Sequence, residues 1–193
     1  MKTEDKIVKF FIENKVSRTI RESAKEIKSD YRITHTAIQR LIRRNVLLCR
    51  TVGKSTLCEI NPSYYGIEIY KAENERRESL LKKRNILQLY KEIMEKLKTS
   101  LFVLLVFGSY AKGNQTKNSD IDMMLISNEK DFEEKISGIL SLIPLKTHAL
   151  VFTEEDFIRM KDSRKSNVVQ EAMANNIILY GIEGYYRCLM TND

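Results

Sequence analysis

The stretch F-G-S-Y-A-K-G-N-Q-T-K-N-S-D-I-D, residues 107–122, decides how the second half of this chain folds. It follows L-F-V-L-L-V-F, residues 101–107, which is apolar at every position. An unbroken apolar run of strand length predicts a central strand buried on both faces. Gly108 comes next, where a missing Cβ lets the backbone approach a ligand. Ser109 opens a helix, whose first turn offers unpaired N–H groups and the positive dipole end to a phosphate; its hydroxyl adds a donor. Asp120 and Asp122 are two apart in what reads as the next strand. Both carboxylates then fall on one face, and Ile121 and Met123 on the other. Two like charges repel unless a cation lies between them. Mg²⁺ takes such oxygens and shares them with substrate phosphates. Two ions ~3.5–4 Å apart would clamp attacking and leaving oxygens. Gly-Ser and Asp-x-Asp are each common, but their order between two apolar strands is not.

Further along, Asp131 to Ile143 reads as a helix, T-H-A-L-V-F (147–152) as a third strand, and 154–160 and 167–176 as helices. Residues 100–193 therefore predict an α/β domain. The stretch 107–122 resembles the nucleotidyltransferase superfamily of the DNA polymerase beta type, specifically its minimal members. Their signature is Gly-Ser, ten residues, Asp-x-Asp, matched here by Gly108, Ser109, Asp120 and Asp122. The resemblance is close over 101–127 and looser beyond. It implies a mixed sheet with flanking helices, Mg²⁺ on Asp120 and Asp122, and an NTP, expected to be ATP, at the Gly-Ser turn. Lys112 and Gly113 match the family's basic residue and glycine in that turn. Active members carry a third carboxylate on the following strand. Here that strand has none, and His148 lies about where the acid belongs. His148 reads either as an ordinary strand residue or as a substitute base; Glu154, Glu155 and Asp156 read as caps of the next helix.

The N-terminal third has a different pattern: three helices, then a hairpin. Ile7, Val8, Phe10, Phe11 and Ile12 are the apolar part of helix one. Thr19-Ile20-Arg21-Glu22 is a capping box, in which the Thr hydroxyl and Glu carboxylate satisfy each other's backbone N–H groups. Ile33, Ala37, Ile38, Leu41 and Ile42 are expected on the inner side of helix three. V-L-L-C-R-T-V and T-L-C-E-I-N read as strands around Gly53-Lys54-Ser55. Together these predict a winged helix-turn-helix over 1–65. On helix three, Thr36, Gln39, Arg40 and Arg43 share one narrow face, a set suited to base edges and phosphates. Arg50 and Lys54 of the hairpin are placed to reach a nucleic-acid backbone or minor groove. The bland alternatives are a solvated face or a protein-binding one.

Residues 66–99 read as a charged helical linker. Leu80, Leu87 and Met94 recur every seven residues, which suits a coiled-coil homodimer; Ile86, Leu89, Ile93 and Leu97 form a neighbouring stripe that suits packing on an adjacent domain. The net charge of +7 is uneven. Residues 1–65 carry +7, residues 66–100 carry +3 and residues 101–193 carry −3. A basic first third suggests a polyanionic partner such as double-stranded DNA. Cys49, Cys58 and Cys188 lack metal-site spacing. Cys49 and Cys58 can face each other across the hairpin, but the expected state is reduced thiols in a cytoplasmic protein. No apolar run approaches membrane-spanning length, so no membrane association is expected.

The whole chain resembles prokaryotic, especially archaeal, proteins that fuse a winged helix to a minimal nucleotidyltransferase. Stand-alone relatives of the second domain act as antitoxins that transfer AMP to a helical toxin of the HEPN type. The resemblance thus implies a partner of that kind. Three functions remain in view: a DNA-binding nucleotidyltransferase; a transcription regulator whose degenerate domain senses nucleotide or mediates assembly; and an enzyme that nucleotidylates small antibiotics.

Overall fold

A computed structural model describes residues 2–191 of the chain. The chain divides into two compact units, Met1–Glu75 and Arg76–Asp193.

The first unit runs α1 (Thr3–Asn14), β1 (Arg18–Thr19), α2 (Ile20–Glu26), α3 (Tyr31–Arg43), β2 (Leu47–Val52), β3 (Ser55–Ile60), then the start of α4 (Ile67–Leu81). Local chemistry sets the helix starts. The Glu22 N–H donates to Thr19 Oγ1 at 3.2 Å, and the Thr19 N–H donates to the Glu22 carboxylate at 2.8 Å. A reciprocal cap of this kind contributes on the order of 1 kcal/mol. Asp30 caps α3, its Oδ1 accepting from the Arg32 and Ile33 N–H groups at 2.8 and 3.3 Å. With the helix started at Tyr31, the buried stripe is Thr34, Ala37, Ile38 and Leu41. Ile33, expected inside, is 56% exposed because it falls off that stripe and Thr34 takes the inner position. The Thr34 hydroxyl is satisfied by donating to the Asp30 carbonyl.

β2 and β3 form an antiparallel hairpin turning at Gly53, whose φ is +59°, and β1 adds to the outside of β3. The hairpin register sets Cys49 opposite Cys58 with Cα atoms 4.2 Å apart, and the two are joined in a disulfide. The expectation of two reduced thiols is thereby corrected. The buried core of this unit includes Ile7, Val8, Phe11, Ile20, Ile38 and Leu41.

In the second unit, β4 (Val103–Phe107), β5 (Ile121–Ile126), β6 (Thr147–Phe152) and β7 (Asn176–Tyr180) form one sheet of order β6-β5-β4-β7. β4 is antiparallel to both neighbours, whereas β5 and β6 are parallel, so the sheet is mixed. All five residues of β4 are buried, as its composition requires. The helices are α5 (Arg84–Lys96), α6 (Gly108–Lys112), α7 (Phe132–Ser141), α8 (Glu154–Lys161), α9 (Val168–Ala174) and α10 (Ile182–Met190). One face of the sheet packs Leu104, Val106, Ile121 and Met123 against α5 and α7. The other packs Leu105, Met124 and Ile126 against α8, α9 and α10.

The stretch 66–99 is two helices, α4 and α5, broken at Lys82 and Lys83. Ile86, Leu89, Ile93 and Leu97 are buried in the core of the second unit. The seven-residue spacing of Leu80 and Leu87 crosses the break, so it is not a continuous helical seam. β7 and α10 are additions to the elements expected from sequence: 167–176 read as one helix, whereas α9 stops at Ala174 and a strand begins at Asn176.

Candidate functional site

The Gly-Ser turn sits where β4 leaves the sheet. Gly108 has φ +63°, a conformation L-residues with a Cβ rarely adopt. Space forbids a side chain as well. A Cβ built on Gly108 would lie 2.3 Å from Oδ2 of Asp122. The Asp122 carboxylate thus rests directly against the Gly108 backbone, and the two ends of the motif meet in space. Ser109 follows in the first turn of α6, half-buried. Gly113 stops α6 as its C-cap with φ +73°, donating its N–H to the Ser109 carbonyl; a Cβ there would meet nothing within 4 Å. Its role in the structure is conformational. Lys112 is the exposed last residue of the helix.

The segment from Asn114 to Asp120 returns the chain to β5. The Asn114 N–H donates to the Ser109 carbonyl at 3.1 Å, and Thr116 and Ser119 close a turn on each other. β5 begins at Ile121, so Asp120 lies just before the strand rather than within it, and is exposed. Asp122 is half-buried. Ile121 and Met123 are buried on the α5 and α7 side, which leaves Asp122 on the opposite face, as alternation requires.

β6 lies beside β5 with Asp122 and His148 as register partners. His148 Nδ1 is 3.6 Å from Asp122 Oδ1, and the imidazole is 63% exposed. The position next to Asp122 on the neighbouring strand is therefore a histidine. Glu154, Glu155 and Asp156 form the first turn of α8, at the other end of β6. Four steps along the strand, roughly 13 Å, separate Phe152 from His148. Thr153 caps that helix and bonds Asp156, so these acids belong to α8. Among the described residues no group of three or more His, Cys, Asp or Glu is close enough to hold a metal ion. The donors at the motif are the Asp120 and Asp122 carboxylates, with His148 beside the latter.

Residues outside the motif brace it. Asn85 at the start of α5 donates to the Tyr110 hydroxyl, and Lys83 Nζ lies 5.6 Å from the centre of the Tyr110 ring. Tyr110 is buried and anchors α6. Asn176, opposite Phe107 in register, accepts at its carbonyl from Arg76 and donates its side-chain N–H to the Tyr185 hydroxyl at 2.7 Å. No motif spacing points to these residues; they come from α4, the break between α4 and α5, α5, β7 and α10.

In the first unit, Thr36, Arg40 and Arg43 are exposed on α3 and Gln39 is half-buried beside them. Arg50 is exposed on β2 and Lys54 at the hairpin tip. Arg40 is 3.6 Å from Glu4, whose carboxylate also accepts from Arg44. A groove of about 640 Å³ between the start of α1 and α3 is lined by Lys2, Arg32, Ile33, Thr36 and Arg40 among others.

Residues 88–183 match the family described as "Polymerase beta, Nucleotidyltransferase". The second unit thus contains a nucleotidyltransferase-type domain, and the match spans β4 through β7. Neither the curated proteins nor the solved structures yielded a match. No helix among the described residues is long and apolar enough to cross a membrane.

Proposed function

We propose that the protein binds double-stranded DNA through a winged helix-turn-helix in its first unit. Its second unit binds an NTP with Mg²⁺ and transfers the nucleotidyl group to a hydroxyl acceptor. The observation that carries the nucleotide reading is the contact of the Asp122 carboxylate with the Gly108 backbone. A glycine is needed there, and the carboxylate is held at the turn that would receive phosphate. Asp120 and Asp122 fit a hard divalent cation, being carboxylates shared with solvent and, on binding, with phosphate. Held by Asp120 and Asp122, such an ion would supply charge stabilisation at the transferring phosphoryl group. Ser109 and the first N–H groups of α6 bind phosphate, with Lys112 at the helix end. In transfer, the acceptor oxygen bonds to the α-phosphorus, the bond to the leaving pyrophosphate breaks, and the acceptor proton goes to a base. His148 serves as that base at Nε2, because its Nδ1 faces Asp122.

Incubation with Mg²⁺, labelled ATP and candidate acceptors tests the reading directly. Labelled acceptor is expected with wild type and none with Asp120→Asn/Asp122→Asn; transfer by that double variant would remove the assignment. The presence of histidine at the third-acid position favours a second reading, a transcription regulator that senses nucleotide without transferring it. Binding of Mg²⁺–NTP with no transfer to any acceptor would select that reading. A helical partner of the HEPN type is the acceptor to try first.

The DNA reading is supported by the order α1-α2-α3-hairpin and by exposed Thr36, Arg40, Arg43, Arg50 and Lys54. Arg43 and Gln39 are assigned to base edges, Arg50 and Lys54 to phosphates.

A further inference from the structure

β6 is an edge strand. The Ile121 N–H donates to the Lys146 carbonyl and the Ser127 N–H to the Phe152 carbonyl. By the alternation of a parallel ladder, the N–H and C=O groups of His148 and Leu150 also face β5. Those of Thr147, Ala149 and Val151 face outward. Natural edges are usually blunted by Lys, Pro or a bulge. T-H-A-L-V-F contains neither residue, and its register with β5 runs unbroken from Ile121↔Thr147 to Ile126↔Phe152. The two edges of the sheet also differ in burial. In β7, Asn176, Ile178 and Leu179 are buried; in β6 no residue is. A groove of about 360 Å³ runs beside this edge, lined in part by Ile136, Leu140, Ala149 and Val151.

We propose that the β6 edge is a self-association surface whose occupant is a second copy of this chain, paired antiparallel about a twofold axis at Ala149. In that register Ala149 faces Ala149 and Thr147 faces Val151, and each pair exchanges both N–H···O=C bonds. Charge selects a second copy as the occupant and antiparallel as the direction. The strand is preceded by exposed Lys146 and followed, after Thr153, by exposed Glu154 and Glu155. Antiparallel pairing brings Lys146, at the start of one strand, to the end of the other strand, where the second copy's Glu154 and Glu155 open α8, and does so at both ends of the seam. Parallel pairing would set like charges side by side. Leu80 is buried in the core and the break at Lys82 and Lys83 separates it from Leu87 and Met94, so these three offer no continuous helical seam and self-association falls to β6. It also brings exposed His148 alongside the seam, opposite the second copy's Leu150.

The test is light scattering and sedimentation of the full chain over a range of concentrations. A species of twice 22.6 kDa is expected. Ala149→Pro removes an outward N–H that β5 does not use, and should give a monomer with a melting temperature near wild type. Should that variant fail to fold, the exposed Lys146→Glu serves instead. Lys146→Glu and Glu154→Lys/Glu155→Lys should each weaken the dimer by about tenfold or more. Combining all three changes in one chain should restore it. A monomeric wild type overturns the proposal. So does a dimer indifferent to Ala149→Pro and to the charge reversals, or one that the combined reversal fails to rescue.

Discussion

Gly108 concentrates two constraints in one residue. Its φ of +63° costs an L-residue about 1–2 kcal/mol, and its missing Cβ leaves room for a carboxylate oxygen that would otherwise be 2.3 Å away. The two costs can be separated. Gly108→Ala should destabilise the second unit by about 2–4 kcal/mol, the sum of backbone strain and displacement of Asp122. In an Asp122→Ala background the carboxylate is gone, and the cost should fall toward the backbone part alone, about 1–2 kcal/mol. Denaturant unfolding of the four proteins gives the coupling; additive costs would show that Asp122 does not rest on Gly108. Much of this site was legible in the sequence, because Gly-Ser and Asp-x-Asp carry fixed spacing and a strand has a fixed period. The contact itself was not legible. It depends on the turn's path and on β5 starting at Ile121, one residue later than the motif suggests. That His148 stands about where the family's third acid belongs was an expectation from the resemblance; the β5–β6 register puts it side by side with Asp122.

Among the elements, the start of α4 is fastened to the first unit by a polar chain. Tyr64 donates to Glu68, Arg44 pairs with both Glu68 and Glu4, and Arg40 lies near Glu4. Burial works to raise the Glu68 carboxyl, but the hydrogen bond from Tyr64, its own backbone and the charges of Arg44 and Lys71 outweigh it, leaving it below the ordinary value. Tyr64 is pushed up to about 12 by burial and by its bond to Glu68. Glu68→Gln should destabilise the unit by about 1–3 kcal/mol at neutral pH, because Arg44 loses a charged acceptor. The signs follow from linkage. A lowered folded-state carboxyl adds stability that is present above the unfolded value and lost as pH falls through the folded one. The gap between wild type and Glu68→Gln should therefore narrow as pH drops through and below the carboxylate range. The raised Tyr64 adds stability that is present below its unfolded value and lost as pH rises toward about 12. Amide exchange in α1 and α3 of the full chain reports this locally; a gap constant with pH would rule out the ionised pair. Periodicity announced α3 and β4 because each has one dominant pattern. It missed β7, since Asn175 and Asn176 end a helical run and only Ile177–Tyr180 remain to mark a strand. It read α5 as part of a linker because its inward stripe is embedded in charge.

At the scale of the molecule, charge is unevenly divided: +7 over residues 1–65 and −3 over residues 101–193. The central place of β4 was legible in its unbroken apolar run, but the full sheet order was not, because the second neighbour of β4 is β7, which comes from the far end of the domain. The charge division needed no structure, and it sets the last prediction. If the first unit binds duplex DNA, its exposed cations must fall into two kinds. Lys54, at the tip of the hairpin, has the position of a phosphate contact. Replacing it with alanine should weaken binding to all sequences alike and reduce the slope of log affinity against log salt by about one. Arg43 sits on the outer face of α3, where a guanidinium can fork onto a guanine edge. Arg43→Ala should cost about 1–3 kcal/mol on the preferred site, with much less loss on random duplex. Arg40 should show a smaller effect than either, because Glu4 lies 3.6 Å from it and offsets its charge. Glu4→Gln should then strengthen binding by freeing Arg40. Titrations of wild type and the four variants at several salt concentrations separate these outcomes. Salt-independent affinity would remove phosphate contact from the account. Equal loss from Arg43→Ala on every sequence would reduce α3 from a reader of bases to a second phosphate contact.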